Sequence, residues 1–369
     1  MYTNKQKKSL FHENNLANID LKNRFIRSAT WENMTTDDGH LTKELYDIYE
    51  NLSKGEVGLI ITGYGNIVKE EQPNPGMMGI YNDSFIHEYK KLTNLVHSYG
   101  SKIIMQIAYG GTKTKFNLGE RVIYAPSNVP ERSTNVSGKT MSKIEINYIV
   151  TAFAEAGKRV KDSGFDGVEI HGAHTYLINQ FLSPYYNKRT DEYGGSLENR
   201  MRFLLQIYYK MREKVGEDFP ILVKLTATEF FESGLTFEET KLICKKLESV
   251  GIDGIEISGN VHGKAKSMTG EIFDGYEIKD EGYFIEYAKN ISETVDIPII
   301  TVGGFKDFYN IERIFNETNI GYFAISRPLL AEPHLIKRWK DGDRKPAKCV
   351  RCSKCRTPKG NYCVIYNKA

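Results

Sequence analysis

No apolar run in this chain is long enough to cross a bilayer: the longest, such as Leu59 to Ile61, fall far short of the ~20 residues a spanning helix needs. The amino terminus, MYTNKQKKSLFHENN, has lysines but no apolar segment behind them, so no signal peptide is expected. Charge of one sign is not in excess. Fifty Lys and Arg face 47 Asp and Glu, a balance of +3, and no basic stripe is visible, which argues against a dedicated nucleic-acid binder. Cysteine is scarce until the end, where four of the five fall close together; that usage fits a reducing, cytoplasmic setting in which clustered thiols mean metal more often than disulfide. No G-x-G-x-x-G follows the first candidate strand, so the main signature of a doubly wound dinucleotide fold is missing.

What is present is alternation. From Asn23 onward, short β-rich runs trade places eight times with amphipathic helical stretches. The strand candidates are Phe25–Arg27, Val57–Thr62, Lys102–Gln106, Gly167–Ile170, Ile221–Leu225, Gly254–Ile257, Pro298–Thr301 and Gly321–Ala324. All but the first are short and rich in Ile, Val and Leu, as parallel strands buried on both faces should be. Apolar spacing near 3.6 predicts helices over Lys143–Ser163, Ser196–Val215 and Thr236–Val250. Eight such units predict an α/β fold, a (β/α)8 TIM barrel over residues 1–341, followed by a cysteine-rich tail over 342–369. Thr236 and Glu239 have capping-box spacing, Thr42 stands ahead of a Leu45, Ile48, Tyr49, Leu52 stripe, and Gly100, Gly164 and Gly251 sit where helix C-caps should. Two excursions exceed the unit spacing, Gly110 to Ser142 and Gly259 to Asp280. Leaving the carboxyl ends of strands, they should roof a site.

That site is expected along Asp166 to Arg200, DGVEIHGAHTYLINQFLSPYYNKRTDEYGGSLENR. The fourth strand hands over to His171, then His174, then Tyr176, three hydrogen-bonding groups at a barrel's chemical end. Either histidine alone is more often a satisfied polar residue. The whole run, however, resembles the signature of the old yellow enzyme family of flavin-dependent ene reductases: H-x-x-H-x-Y-L, F-L-S-P, N-x-R-x-D-E-Y-G-G-S and E-N-R, with likeness from Asn23 to about Trp339.

The resemblance implies FMN, NAD(P)H as reductant, and ping-pong transfer of hydride from flavin to the β-carbon of an alkene conjugated to a carbonyl. In it His171 and His174 hold the carbonyl oxygen and Tyr176 protonates the α-carbon. Glycines at Gly303 and Gly304, with Ser326 and Arg327, stand after strands seven and eight, the usual phosphate place in such barrels. The family's phosphate-binding roles carry over to these four. Gln106 matches the family's flavin-bonding glutamine, and Ser28, Ala29, Thr30 and Gly63 complete the flavin-facing set. Lys224 stands where the family usually has arginine and would act on the reduced flavin as a point charge, without the fork. Trp31 replaces a small potential-tuning residue unless Thr30 takes that role, and Tyr109 replaces a histidine. The substrate is a small activated alkene, and a homo-oligomer is implied, with neither nucleic acid nor membrane as a partner.

Cys349, Cys352, Cys355 and Cys363 read C-x2-C-x2-C-x7-C, a spacing closer to an iron–sulfur site than to zinc's separated pairs, with bare thiols as a third reading. Larger relatives resembling dienoyl-CoA and enoate reductases carry a similar cluster fed by an FAD/NAD domain. With this chain ending at Ala369, an external electron donor or a structural role is expected. Cys244, alone in a helix, reads as core. Two rivals remain: a barrel that binds flavin or another phosphate ligand without turnover, and a metal-dependent hydrolase or lyase using the His pair with Glu229, Glu169 or Glu256.

Overall fold

The computed structural model describes residues 8–259 and 281–366. Its eight parallel strands are β1 (Phe25–Arg27), β2 (Leu59–Ile61), β3 (Lys102–Ala108), β4 (Gly167–Gly172), β5 (Ile221–Thr226), β6 (Gly254–Ser258), β7 (Ile299–Val302) and β8 (Tyr322–Ile325). Each pairs with the next in sequence, β8 pairs with β1, and so the sheet closes with no free edge. This is the expected (β/α)8 barrel, with every strand candidate in place. The excursion from Gly259 to Asp280, with its His262, lies outside the described residues except for Gly259 itself.

Closure follows from how the apolar residues divide. One set, including Ile26, Leu59, Ile61, Ile104, Leu222, Ile300 and Ala324, fills the barrel with Leu16, Ile19 and Leu21 of an amino-terminal hairpin (Asn14–Leu16 with Ile19–Leu21). The hairpin plugs that end. A second, larger set lies between the strands and the surrounding helices, which include α1 (Lys43–Lys54), α2 (Ile86–Ser98), α3 (Lys143–Asp162), α4 (Leu177–Leu182), α5 (Leu197–Val215), α6 (Phe237–Ser249), α7 (Ile285–Ser292) and α8 (Phe308–Glu317). Cys244 is fully buried in α6, as expected of a core residue. Short helices α9 (Arg327–Ala331) and α10 (Leu335–Lys340) follow β8, and no helix of the described residues is long and apolar enough to cross a membrane.

Local signals act where they were read. Thr236 accepts from the Glu239 amide and Glu239 reaches back, a complete capping box, and Ser142 with Glu145 makes a second at α3. Thr42 occupies the N-cap position of α1 but spends its hydroxyl on the Met34 carbonyl at 2.7 Å. Gly164 and Gly251 adopt φ of +78° and +89° after α3 and α6, the left-handed turn a helix end asks of glycine.

The tail is stitched across the barrel mouth. Its short hairpin, Arg356–Thr357 with Gly360–Asn361, bonds the loop after β1: the Asn361 amide donates to the Glu32 carbonyl at 2.6 Å, and the Asn361 side chain to the Trp31 carbonyl at 2.7 Å. Arg351 meanwhile donates to the Gly304 carbonyl beyond β7 at 2.8 Å. Replacing Thr236 by Ala removes one half of the capping box and should lower unfolding free energy by about 1 kcal/mol in urea denaturation. An unchanged midpoint would show that the box contributes nothing.

Candidate active site

A strand repeats its facing every two residues. Stepping two residues along each inward row leads from the apolar filling to a polar layer: Ile26 to Ser28, Ile104 to Gln106, Leu222 to Lys224, Gly254 to Glu256. Lys224 Nζ lies 2.9 Å from Glu256 Oε1 and donates to Ser28 Oγ at 3.0 Å, and that hydroxyl donates to the same Glu256 oxygen at 2.8 Å. Gln106 donates its amide to Glu169 at 2.5 Å. The lysine is therefore paired, and two of the three glutamates of the hydrolase reading, Glu169 and Glu256, face inward at 0% exposure among these partners.

One step above stands His171, paired in register with Lys224. Its ring is 4.7 Å from Tyr176 and 5.1 Å from His174 between centroids, so the three expected groups do converge. Burial, with His174 and Lys224 nearby, holds His171 well below the usual imidazole range, which makes it neutral at pH 7. Its Nδ1 is buried without a partner. Tyr176 is buried, which pushes its phenol up to about 12, and Asn74 donates to its oxygen at 3.3 Å and to Tyr64 at 2.7 Å.

The turn that presents these groups is strained. His174 and Thr175 have φ of +58° and +62°, a conformation costing side-chain-bearing residues roughly 1–3 kcal/mol each. Neighbours hold it. The His174 amide donates to Thr226 Oγ1 at 3.0 Å, its Nε2 meets Ser258 Oγ at 2.8 Å, and the Thr175 amide donates to Asn179 Oδ1 at 2.8 Å. Gln180 donates to the Thr175 carbonyl at 2.6 Å. Glu229, the third acid of the hydrolase reading, sits behind this support, accepting from Ser183 and the Leu235 amide.

At the other flank, Gly303 and Gly304 take φ of +145° and +72°, and a Cβ on Gly304 would meet the Tyr283 ring at 2.8 Å. Ser326 Oγ is 2.8 Å from Thr30 Oγ1, and Arg327 follows at the start of α9. Trp31 turns away, its indole donating to the Pro75 carbonyl at 2.9 Å with Arg356 over the ring, so Thr30 faces Ser326 instead. Ala29 is half-buried beside them. Gly63 has a packing reason for being glycine: a Cβ there would lie 2.0 Å from Glu32 Oε2. Tyr109 is buried and stacks on Tyr124. The buried Nδ1 of His171, which has no partner in the protein, fits a polar ring bound against it, while the absent side chains of Gly303 and Gly304 leave room for the Tyr283 ring.

The cysteines behave otherwise. Cys349 and Cys363 are buried against Ala331 while Cys352 and Cys355 are half-buried, and among the described residues no three His, Cys, Asp or Glu stand where they could hold a metal ion. Cys355 nevertheless has Cys349, Cys363, Cys352 and the Arg327 guanidinium as its charged neighbours, so the four thiols lie near one another, while among the described residues the His pair with its glutamates forms no metal site.

Residues 9–345 match the pattern of the NADH:flavin oxidoreductase / NADH oxidase family. The chain belongs to that family. The family's description makes flavin oxidoreduction the class of chemistry, with FMN as the flavin. The chain is 35% identical over 348 residues to an NADH oxidase of Thermoanaerobacter brockii, covering 94% of this chain and 53% of that one. It is similar in structure to a 2-naphthoyl-CoA reductase in complex with 2-naphthoyl-CoA, with TM-score 0.84, 26% identity and coverage of 92% and 53%. It thus spans about half the length of these two relatives. The old yellow enzyme homologue of Zymomonas mobilis shares its fold end to end, with TM-score 0.79, 22% identity and coverage of 98% and 100%.

Sequence reasoning about this family member missed Tyr64, Asn74, Asn179, Thr226 and Ser258, which hold the catalytic candidates in place. Asn179 lay in the quoted run, but nothing in its spacing says that it braces a left-handed turn. Glu229 gives a pH test. Burial pushes its carboxyl up to about 7, so the folded state holds a proton that the unfolded state releases near pH 4.5. The resulting stability is complete below about pH 4.5 and lost as pH rises through 7, on the order of 3 kcal/mol. Glu229→Gln should flatten that part of the stability–pH curve in denaturant titrations. A curve parallel to wild type would mean that Glu229 is ionised in the fold.

Proposed function

We propose that the chain is an FMN-dependent ene reductase, which reduces an alkene conjugated to a carbonyl at the expense of NAD(P)H by a ping-pong cycle. What most supports this is the meeting of a neutral imidazole, a second imidazole and a protonated phenol at the end of one strand, directly above a buried lysine. FMN, when bound, supplies the hydride exchange, accepting from the nicotinamide and giving to the alkene β-carbon in turn.

The protein's part is charge and proton control. His171 is neutral and keeps a ring N–H to donate to a carbonyl oxygen as negative charge grows there, an oxyanion-hole role. His174, fixed by Ser258, gives the oxygen a second neighbour. Tyr176, pushed up to about 12, is protonated throughout the neutral range and donates to the α-carbon as general acid, with Asn74 and Tyr64 orienting its oxygen. Gln106, Lys224, Ser28 and Thr30 would face the flavin ring, and Gly303, Gly304, Ser326 and Arg327 would hold its phosphate. An alkene without the carbonyl gives the two histidines nothing to hold and should not react.

Anaerobic stopped-flow measurement separates the half-reactions. Tyr176→Phe should slow reoxidation by an enone about 100-fold or more while flavin reduction by NADH stays within about twofold. Equal loss in both would remove the proton-donor role. Protein that neither contains nor takes up FMN under gentle conditions would remove the whole reading.

A further inference from the structure

The cycle just described uses Lys224 but leaves Glu169 and Glu256 idle. Both are fully buried, on β4 and β6, flanking the β5 lysine. Their partners can be counted oxygen by oxygen. Glu256 Oε1 takes the Lys224 ammonium and the Ser28 hydroxyl, and Glu169 Oε2 takes the Gln106 amide. Glu256 Oε2 and Glu169 Oε1 are buried with no donor at all. The two acids stand on the strands either side of the one ammonium, and Glu256 is close enough to raise the Glu169 carboxyl. Two buried carboxylates beside a single ammonium leave one negative charge uncompensated, and one proton held by the pair supplies the missing donor while leaving lysine and the pair electrically balanced.

We propose that Glu169 and Glu256 share one proton and form a redox-linked proton site that acts on bound flavin through Lys224. The flavin part rests on the function proposed above; the shared proton does not. Bound FMN, if reduced by hydride, which brings two electrons and one proton, would add one negative charge within reach of Lys224. That charge competes with the pair for the ammonium. The pair answers by binding one proton from solvent, forming one O–H bond and passing from one net negative charge to none. Glu169 and Glu256 are thus positioning residues, which set how strongly Lys224 favours the charged flavin.

The groups facing the pair are few. Gln106 comes from β3, His171 from β4 above it, Lys224 from β5 and Ser28 from beyond β1. His171 is kept neutral by burial, so Lys224 is the cation that matters. Burial, and then Glu256, lift the Glu169 carboxyl well above the usual range against the pull of Lys224, in agreement with the oxygen count.

Infrared spectra of FMN-free protein test the shared proton alone. At pH 9, Glu71 and Glu229, both pushed up to about 7, are ionised. A carboxylic-acid carbonyl band should remain in wild type and vanish in Glu169→Gln. No band in wild type, or the same band in the variant, overturns the proposal, and if Glu169→Gln does not fold, Glu256→Gln reads the same loss. With FMN bound, the midpoint potential of wild type should fall with pH more steeply than that of the variant by ~30 mV per pH unit, a tenfold change per proton at two electrons. Equal slopes overturn the redox link. Failure to bind FMN would instead strike the function proposed above, leaving the infrared result to decide the shared proton.

Discussion

Within two residues of strand, the interior of this barrel changes from hydrocarbon to charge, and the site depends on that change. The lower layer is sealed by isoleucine, leucine and an amino-terminal hairpin. The layer above holds Lys224, Glu256, Glu169, Gln106 and Ser28, all nearly or fully buried. A lone ammonium in such surroundings would be costly, and a lone carboxylate as much so. They persist because the closed sheet sets them at hydrogen-bonding distance from one another, and because backbone pairing on both sides of every strand leaves little freedom to drift. The charge offered to a flavin is therefore an organised cluster, and the lysine's position is fixed by Glu256 and Ser28.

A second constraint lies at the turn after β4. Two consecutive residues in left-handed geometry would relax if their neighbours allowed it. Thr226, Ser258, Asn179 and Gln180 prevent this, drawing on the ends of β5 and β6 and on helix α4. The bracing reaches further back, since Asn179 also meets Glu229 and Glu229 fixes the loop before α6. Strain at the imidazole and stability of the next barrel unit are parts of one network. Damage to Glu229 would therefore be felt first in stability and only then in chemistry.

Much of this could be read from the residues alone. The eight strands announced themselves through short Ile/Val/Leu runs, because a parallel strand covered on both faces has no polar side to blur the pattern. His171, His174 and Tyr176 were legible because the whole run that carries them resembles the family's signature; either histidine alone would have passed for a satisfied polar residue. What escaped was long-range. Tyr64 and Asn74 approach Tyr176 from another unit of the barrel, and no periodicity encodes that meeting. Glu169 and Glu256 could be seen as acids in strands, but their inward facing required the register. The cysteine spacing did announce that four thiols lie near one another, but not that two of them pack against Ala331 while the other two stay half-buried.

The tail nonetheless belongs to the site's architecture. Its hairpin bonds the loop after β1, which carries Thr30 and Trp31, and Arg351 bonds the Gly304 carbonyl at the opposite flank. One segment thus bridges the two sides between which a flavin's ring and phosphate would lie. Trp31 has its indole bonded to Pro75 and Arg356 over its face, which explains how a large residue fits where a small one is usual: it is held outward, and Thr30 is left facing Ser326. Lys224 follows the same logic. A lysine can replace a forked arginine only if something else fixes its direction, and here Ser28 and Glu256 supply the geometry that the side chain lacks.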